Sequence, residues 1–410
     1  MADFGTFVTH LECGLTGKVY PKGQLHNLSE AGRPLLVRYD LSGVKKAFQK
    51  SDLEGRSPDM WRCRELLPVT DAKNIVSLGE MITPLLGCPA LEKKIGAGSE
   101  TIFIKDEGRL PTGSFKARGL AMAVSMAKEL GVKVIAMPTA GNAGAALSAY
   151  ATRAGIKSYI FSPDDSQEIT IQETILQGGD IYLVNGLIND CGKIVGDGKG
   201  PVGWFDFSTL KEPYRIEGKK TMGLELAEQM DWQLPDAIFY PTGGGTGLIG
   251  MWKAFAELEE IGFITGKMPK MIAVQAEGCA PIVKAFIEGT EHAELWETAQ
   301  TIAQGMRVPI AVGDFLILRA VRESGGFAAT VTDTEIETAR LETGLAEGLH
   351  IGPEGAATLA AYKNALKSGQ LNKKDRVVLF NCGSGLKYLT DLPKKRLDRT
   401  KPIDYSQFKE

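Results

Sequence analysis

The nine residues from 111 to 119, Pro-Thr-Gly-Ser-Phe-Lys-Ala-Arg-Gly, place a single lysine at a predicted turn into a helix. A protonated lysine amine is a poor nucleophile. Burial beside Phe115, with Arg118 nearby, disfavours the ammonium form and frees the lone pair. Lys116 is therefore a candidate for Schiff-base chemistry. An ordinary lysine in the first turn of a helix gives the same short pattern, so the choice depends on the rest of the chain.

A second segment, Thr-Ala-Gly-Asn-Ala-Gly at 139–144, follows an apolar run at 134–137 and precedes an alanine-rich stretch. This order predicts a strand, a glycine turn and a helix. Exposed N–H groups at a helix start favour an anionic group such as a carboxylate, and Asn142 can hydrogen-bond a phenolate. A plain turn between strand and helix is the alternative. The candidate carboxylate ligands are Thr139, Ala140 and Gly141.

A third segment, Pro-Thr-Gly-Gly-Gly-Thr-Gly at 241–247, lies between a predicted strand and a predicted helix. It has neither the lysine of a P-loop nor the glycine spacing and downstream acid of a dinucleotide site. Backbone amides, a threonine hydroxyl and the helix dipole suit one terminal phosphate. The candidate phosphate ligands are Gly243, Gly244, Gly245, Thr246 and Gly247.

A fourth segment, Asn-Cys-Gly-Ser-Gly at 381–385, follows the apolar run 377–380. It places the Cys382 thiol or the Ser384 hydroxyl at the carboxyl end of a predicted strand. By itself this segment indicates little. The segment becomes informative because it follows the other three in the chain.

In this order the four segments closely resemble the pyridoxal-phosphate enzymes of the tryptophan synthase β, or type II, fold, over most of the chain. The resemblance implies that Lys116, beside Phe115, carries the cofactor and that Asn142 faces its O3′ oxygen. It also implies that residues 243–247 hold the cofactor phosphate and that Cys382 lies opposite the pyridine nitrogen. A neutral partner at that nitrogen favours elimination over transamination.

Other segments resemble threonine synthases in particular. They include residues 66–69, 79–85 and Pro-Tyr-Arg-Ile-Glu-Gly-Lys-Lys-Thr at 213–221. Arg215 is therefore a candidate ligand for a phosphate on the substrate, because a guanidinium presents a planar fork to phosphate oxygens. For Lys219 and Lys220 we expect a solvated helix face.

The resemblance implies a threonine synthase that converts O-phospho-L-homoserine and water into L-threonine and phosphate. Three alternatives stay open. An ammonia-lyase or dehydratase would explain Ala117 and the glycine-rich loop. A β-replacement enzyme of the cysteate synthase kind would explain the ribbon-like start of the chain, in which only Cys13 remains of the expected ligands. A regulator that binds the cofactor or an amino acid without catalysis is the third.

The composition agrees with an enzyme. Lys plus Arg number 47 against 50 Asp plus Glu, which gives a net charge of −3 with both signs scattered, so no nucleic-acid surface is predicted. No run approaches a membrane span, and the start of the chain lacks the features of a signal peptide, so we expect a cytoplasmic protein. The six cysteines and four histidines show no metal-ligand spacing, and we predict no metal.

Short apolar runs alternate with segments of helical spacing, which predicts an α/β chain with mainly parallel sheets flanked by helices. The predicted buried strands are 132–137, 159–161, 181–184, 237–240, 271–274 and 377–380. By analogy with the family we expect residues 1–118 and 234–410 to form a larger lobe with an N-terminal arm, and residues 119–233 a smaller mobile one. The resemblance also suggests a homodimer that acts on a small amino-acid substrate. The tail from Pro393 is expected to be exposed.

Overall fold

A computed structural model describes residues 6–388 and 392–408. It contains three sheets. Their strands are β1 (Val8–Cys13), β2 (Val19–Tyr20), β3 (Leu35–Tyr39), β4 (Leu85–Gly87), β5 (Ile102–Asp106), β6 (Val134–Pro138), β7 (Lys157–Pro163), β8 (Asp180–Val184), β9 (Phe205–Asp206), β10 (Ala237–Pro241), β11 (Lys270–Ala276), β12 (Ala328–Val331) and β13 (Val377–Asn381).

Thirteen α-helices are found within these described ranges. They are α1 (Leu41–Ala47), α2 (Pro89–Ile95), α3 (Lys116–Glu129), α4 (Asn142–Ala154), α5 (Glu168–Leu176), α6 (Ile188–Asp197), α7 (Lys199–Val202), α8 (Tyr214–Gln229), α9 (Thr246–Glu260), α10 (Pro281–Glu288), α11 (Asp314–Glu323), α12 (Asp333–Glu347) and α13 (Pro353–Ser368). None of them is long and apolar enough to cross a membrane.

The largest sheet has six strands in the order β12-β11-β10-β13-β5-β4, and only the edge strand β4 runs antiparallel. Strands β10 and β13 are buried along their whole length, as expected of parallel strands covered by helices on both faces. From β10 the chain moves outward to β11 and β12 and then returns to β13 on the other side. The strand order thus changes direction between β10 and β13, and at such a switch point a crevice opens at the carboxyl ends of parallel strands.

The smaller parallel sheet has the order β8-β7-β6-β9, and all its strands lie between Val134 and Asp206. The two sheets confirm the predicted α/β class with mainly parallel sheets, and all six predicted strands are present. The prediction that 181–184 is buried is wrong, because β8 is an edge strand that leaves Tyr182 and Leu183 exposed. The lobe boundaries, 1–118 with 234–410 and 119–233, stay a prediction. The tail is exposed along most of residues 392–408, as expected.

The N-terminal arm forms a third, antiparallel sheet that the apolar runs did not predict, in the order β2-β1-β3. Its inward residues Leu11, Leu35 and Val37 are buried. At the end of β3 the Tyr39 hydroxyl donates a hydrogen bond to the Glu217 carboxylate of α8 over 2.7 Å. The arm is thus attached to the centre of the protein.

Helix α8 buries charged side chains along most of its length. Glu217 and Lys220 of this helix join Lys253 and Glu257 of α9 in a closed ring of four ion pairs at 2.5–2.9 Å. Two carboxylates balance two ammonium groups, so the buried ring has no net charge. Ion pairing of this kind is what makes full burial of charge tolerable.

A second balanced set lies nearer the start of α3. Arg118 pairs with Glu107 at 2.6 Å and with Glu225 of α8 at 2.8 Å, and Lys105 of β5 also pairs with Glu225. All four side chains are buried. This set attaches the first turn of α3, which begins with Lys116, to the larger sheet.

Candidate active site

A cavity of about 540 Å³ lies between the two parallel sheets, at the carboxyl ends of β6, β10 and β13. Three of the four motif segments, those at Lys116, 139–142 and 243–246, line it together with Cys382 of the fourth. The fold thus brings together segments that lie far apart in the chain. The sequence motifs can form one site only if they meet in this way. A cavity of this size suits a small ligand.

Lys116 is the first residue of α3, and part of its side chain is exposed to the cavity. Its Nζ lies 4.5 Å from the centre of the Phe115 ring, which also lines the cavity. Within the described residues this amine makes no hydrogen bond and no ion pair. Burial, and next the positive charge of Arg215, lower the pKa of Lys116 from 10.5 to about 8. A sizeable fraction of the amine is therefore neutral near physiological pH, as nucleophilic chemistry requires.

The positive charge that lowers the pKa of Lys116 comes from a different arginine than the sequence predicts. Arg118 points away into its ion pairs with Glu107 and Glu225, and Arg215 acts on Lys116 instead. The prediction for Lys219 and Lys220 is wrong, because both are fully buried. Their positions on α8 look solvated in sequence, but this helix packs between α3 and α9.

Lys219 lies directly beside the candidate lysine. Its Nζ donates a hydrogen bond to the Phe115 carbonyl and lies 3.8 Å from the centre of the Phe115 ring. Burial, and then the charges of Lys116 and Arg215, hold its pKa well below the ordinary value. Lys219 thus fixes the residue that precedes Lys116.

The 139–142 segment forms the predicted turn. The Thr139 hydroxyl accepts a hydrogen bond from the Gly141 N–H at 3.1 Å, and α4 begins at Asn142 without a side-chain cap. The first N–H groups of α4 are therefore free to bind an anion. Thr139, Ala140, Gly141 and Asn142 all line the cavity. Their binding roles stay predictions.

The glycine loop after β10 also has the predicted form. Gly245 has a φ of +71°, which glycine adopts without strain, and α9 then begins at Thr246 without a side-chain cap. A side chain at Gly243 would lie 2.8 Å from the Gly305 carbonyl, so the loop is closely covered. Residues 243–246 line the cavity, whereas Gly247 lies behind the lining, where a Cβ would collide with the Tyr240 hydroxyl.

Cys382 lines the cavity at the end of β13. Burial raises the pKa of its thiol to about 12, so the group is neutral at physiological pH. A neutral thiol agrees with the uncharged partner of the pyridine nitrogen that the family resemblance implies. That contact itself stays a prediction.

Arg215 does not lie on the cavity wall. One guanidinium nitrogen donates to the Thr209 hydroxyl over 3.1 Å and another to the Phe207 carbonyl, while Nε faces the Glu212 carboxylate at 3.3 Å. Thr209 lines the cavity, so Arg215 supports the wall from behind. Direct phosphate binding by Arg215 stays a prediction, and the described conformation does not present its guanidinium to the cavity.

Several lining residues carried no clear signal in the sequence. Glu354, at the start of α13, fits in sequence either a residue near the cofactor or a structural carboxylate. Its carboxylate accepts hydrogen bonds from the Gly305 N–H at 2.7 Å and the Tyr388 hydroxyl at 2.9 Å, and burial raises its pKa. The charged side chains missed on the lining are Lys193, Lys211 and Arg307. The hydrogen-bonding side chains missed there are Gln167, Asn189, Ser208, Thr209, Gln304 and Tyr388.

Comparison with known proteins agrees with this arrangement. The family model of pyridoxal-phosphate dependent enzymes matches residues 76–383. The threonine synthase of Methanocaldococcus jannaschii is 34% identical over 376 residues, which cover 92% of this chain and 92% of that protein. The threonine synthase of Methanosarcina acetivorans is 34% identical over 380 residues, with 92% of each chain covered.

Solved structures show the same fold. Maize serine racemase matches with a TM-score of 0.63 at 22% identity, over 74% of this chain and 88% of that one. A threonine deaminase from T.th. matches with a TM-score of 0.61 at 23% identity, over 76% of this chain and 94% of that one. The predicted fold class and cofactor are thereby confirmed. The family model matches three quarters of the chain, and the motif lysine lies at the start of α3 in the cavity that the motif segments line. The chain therefore belongs to the pyridoxal-phosphate dependent enzymes.

Proposed function

We propose that the protein is a threonine synthase, which converts O-phospho-L-homoserine and water into L-threonine and inorganic phosphate. The relatives that are 34% identical along nearly their whole length support this activity. From the site itself, one observation carries the proposal. More positively charged side chains line the cavity than are needed to bind the cofactor and an unphosphorylated amino acid.

The residues present fit pyridoxal 5′-phosphate. An amine with a lowered pKa faces the cavity, two uncapped helix starts open onto it, and the buried Asn142 Oδ1 has no hydrogen-bond partner among the described residues. Lys116 would hold the cofactor covalently, and the N–H groups that follow Gly245 would bind its phosphate. Bound there, the cofactor supplies an electron sink that makes the substrate Cα–H acidic.

The cationic surplus comes from Lys193, Lys211 and Arg307 on the lining, in addition to Lys116. The one acidic residue among the lining residues is Glu354, and burial raises its pKa. Since the glycine loop can bind the cofactor phosphate without a cation, these three side chains are left for an anion on the substrate. This supports a substrate that carries a phosphate.

Two of these cations have only loose partners. Lys211 lies 3.4 Å from Asp206, and the Arg307 guanidinium also lies 3.4 Å from Asp165. A phosphate dianion in the cavity can replace such long ion pairs with shorter, charge-assisted hydrogen bonds. We therefore assign the substrate phosphate to Lys211 and Arg307, and we give Arg215 a supporting place behind the wall.

The remaining steps use this chain's own groups. The N–H groups at the start of α4 and the Thr139–Gly141 turn hold the α-carboxylate. The Lys116 amine, with a pKa of about 8, removes the Cα proton and then a Cβ proton, so that the Cγ–O bond breaks and phosphate leaves. A proton is returned to Cγ, water adds its hydroxyl at Cβ, and Lys116 returns a proton to Cα. Lys211 and Arg307 stabilise the phosphate as it leaves, and neutral Cys382 does not force protonation of the pyridine nitrogen.

The test supplies the cofactor-loaded enzyme with O-phospho-L-homoserine and measures phosphate and amino-acid products in one reaction. We expect phosphate and threonine in equal amounts, no product with Lys116→Ala, and a raised KM with Lys211→Gln. Homoserine without phosphate is the matched control substrate. Absence of phosphate release from enzyme with bound cofactor would overturn the proposal. Keto acid and ammonia from serine or threonine would then indicate a lyase.

We further propose, from the resemblance to threonine synthases alone, that the enzyme is a cytoplasmic homodimer. Sedimentation velocity of the purified protein tests the assembly state. A monomer of 44.2 kDa would contradict it.

A further inference from the structure

A chain of hydrogen bonds crosses the cavity wall from one parallel sheet to the other. The Asn142 side-chain nitrogen donates to the Tyr388 hydroxyl at 3.3 Å, and that hydroxyl donates to Glu354 Oε1 at 2.9 Å. The Gly305 N–H donates to the same oxygen at 2.7 Å. The chain therefore joins the start of α4, the start of α13 and the turn that covers the glycine loop.

The direction of the chain follows from the groups themselves. A tyrosine hydroxyl has one proton, and here Glu354 accepts it. The oxygen lone pairs of Tyr388 are then left to accept an N–H from Asn142. The amide of Asn142 is held with its nitrogen toward Tyr388, and the second hydrogen on that nitrogen remains available to a ligand.

The chain is buried and tied to the fold. Glu354 is 5% exposed and Tyr388 is 8% exposed, and the Tyr388 carbonyl accepts a hydrogen bond from Arg340 of α12 at 2.5 Å. Two atoms at the ends of the chain, Asn142 Oδ1 and Glu354 Oε2, are buried without a hydrogen-bond partner among the described residues. Both atoms are acceptors, so they suit a donor group on a ligand, whereas an acceptor such as a phenolate oxygen suits the remaining N–H of Asn142.

We propose that Tyr388 and Glu354 are positioning residues for Asn142. They hold its amide in the orientation in which an N–H meets the phenolate oxygen of the cofactor. The Gly305 contact links this orientation to the loop that would bind the cofactor phosphate. The inference rests on the cofactor role proposed for Asn142, and it does not depend on which substrate the enzyme uses.

A double-mutant cycle on cofactor binding tests the proposal. Each variant is freed of cofactor and titrated with pyridoxal 5′-phosphate, and the absorbance of the bound cofactor gives Kd without any substrate. Loss of one hydrogen bond corresponds to a rise in Kd of about 3- to 10-fold, which we expect for Tyr388→Phe. For Asn142→Ala we expect at least the same rise. Because Tyr388 acts through Asn142, the double variant should bind no more than about twofold more weakly than Asn142→Ala alone.

Glu354 offers a matched pair of variants. The carbonyl oxygen of Glu354→Gln can still accept both hydrogen bonds, so its Kd should stay near the wild-type value. Glu354→Ala should resemble Tyr388→Phe. Circular dichroism and thermal unfolding establish that each variant is folded, and Asn142→Ser replaces Asn142→Ala in the cycle if the latter does not fold.

Two results would overturn the inference. The first is unchanged cofactor affinity in Tyr388→Phe. The second is a double variant whose loss equals the product of the two single losses, since that means Tyr388 acts without Asn142. Because the readout is cofactor affinity, failure here is distinct from failure to make threonine, which the product assay detects separately.

Discussion

Removal of the Lys116 charge should make the cofactor-free protein more stable, although it abolishes the chemistry. The change is Lys116→Met, which keeps the length of the side chain without its amine. In the unfolded chain this amine titrates near 10.5 and in the folded protein near 8, so between these values the unfolded state binds more protons. The destabilisation is complete below pH 8 and disappears as the pH rises past 10.5.

The size of the effect follows from the same two values. At about 1.4 kcal/mol per pH unit, the difference between 10.5 and about 8 corresponds to about 3 kcal/mol at pH 7. Because the Lys116 side chain is only partly buried, we expect a gain of about 1–3 kcal/mol in the free energy of unfolding. By proton linkage, about a quarter of that gain should remain at pH 10.

The assay is urea-induced unfolding of the cofactor-free wild-type protein and the Lys116→Met variant at pH 7 and pH 10. Lys133→Met removes an exposed lysine and is the matched control, for which we expect no comparable gain. A Lys116→Met protein that is no more stable than the wild type at pH 7 would refute the reasoning. So would a gain of equal size at both pH values, because burial of the charge could not be its cause.

Two further predictions concern the charged groups on α8. Glu225→Leu leaves Lys105 and Arg118 in the interior without this shared carboxylate, and we expect a loss of about 3–5 kcal/mol in unfolding free energy. A loss below about 1 kcal/mol in urea unfolding would contradict this. Tyr39→Phe deletes the hydroxyl that donates to buried Glu217, and we expect a loss of about 1–3 kcal/mol with earlier proteolysis of the N-terminal arm. Unchanged proteolysis would show that other contacts hold the arm.

The sequence alone predicted the parts of the fold that follow from local pattern. Strands such as β10 and β13 are short apolar runs that end at glycine turns, and buried parallel strands have this composition. The order of the motif segments identified the loops that meet at the cavity. The position of Lys116 on the cavity could be predicted because a helix start, small neighbours and three accompanying motifs coincided, and its chemical role stays a prediction.

The missed features depend on contacts between distant segments. Lys219 and Lys220 look solvated in sequence because their burial requires the pairing groups of α9 and the ring of Phe115. Tyr388 reaches Glu354 and the cavity only because β13 and α13 lie side by side in the fold. The predicted phosphate contact of Arg215 stays a prediction, because its partners Phe207 and Thr209 determine which way its guanidinium points.

The balanced ring between α8 and α9 also restricts how this protein can change over evolutionary time. Loss of any one of Glu217, Lys220, Lys253 or Glu257 leaves an odd charge in the interior, and each such step is costly. A neutral replacement of all four is tolerable, but it passes through unstable intermediates. These positions should therefore vary together among relatives, and an alignment should record them as a correlated group that has no contact with substrate.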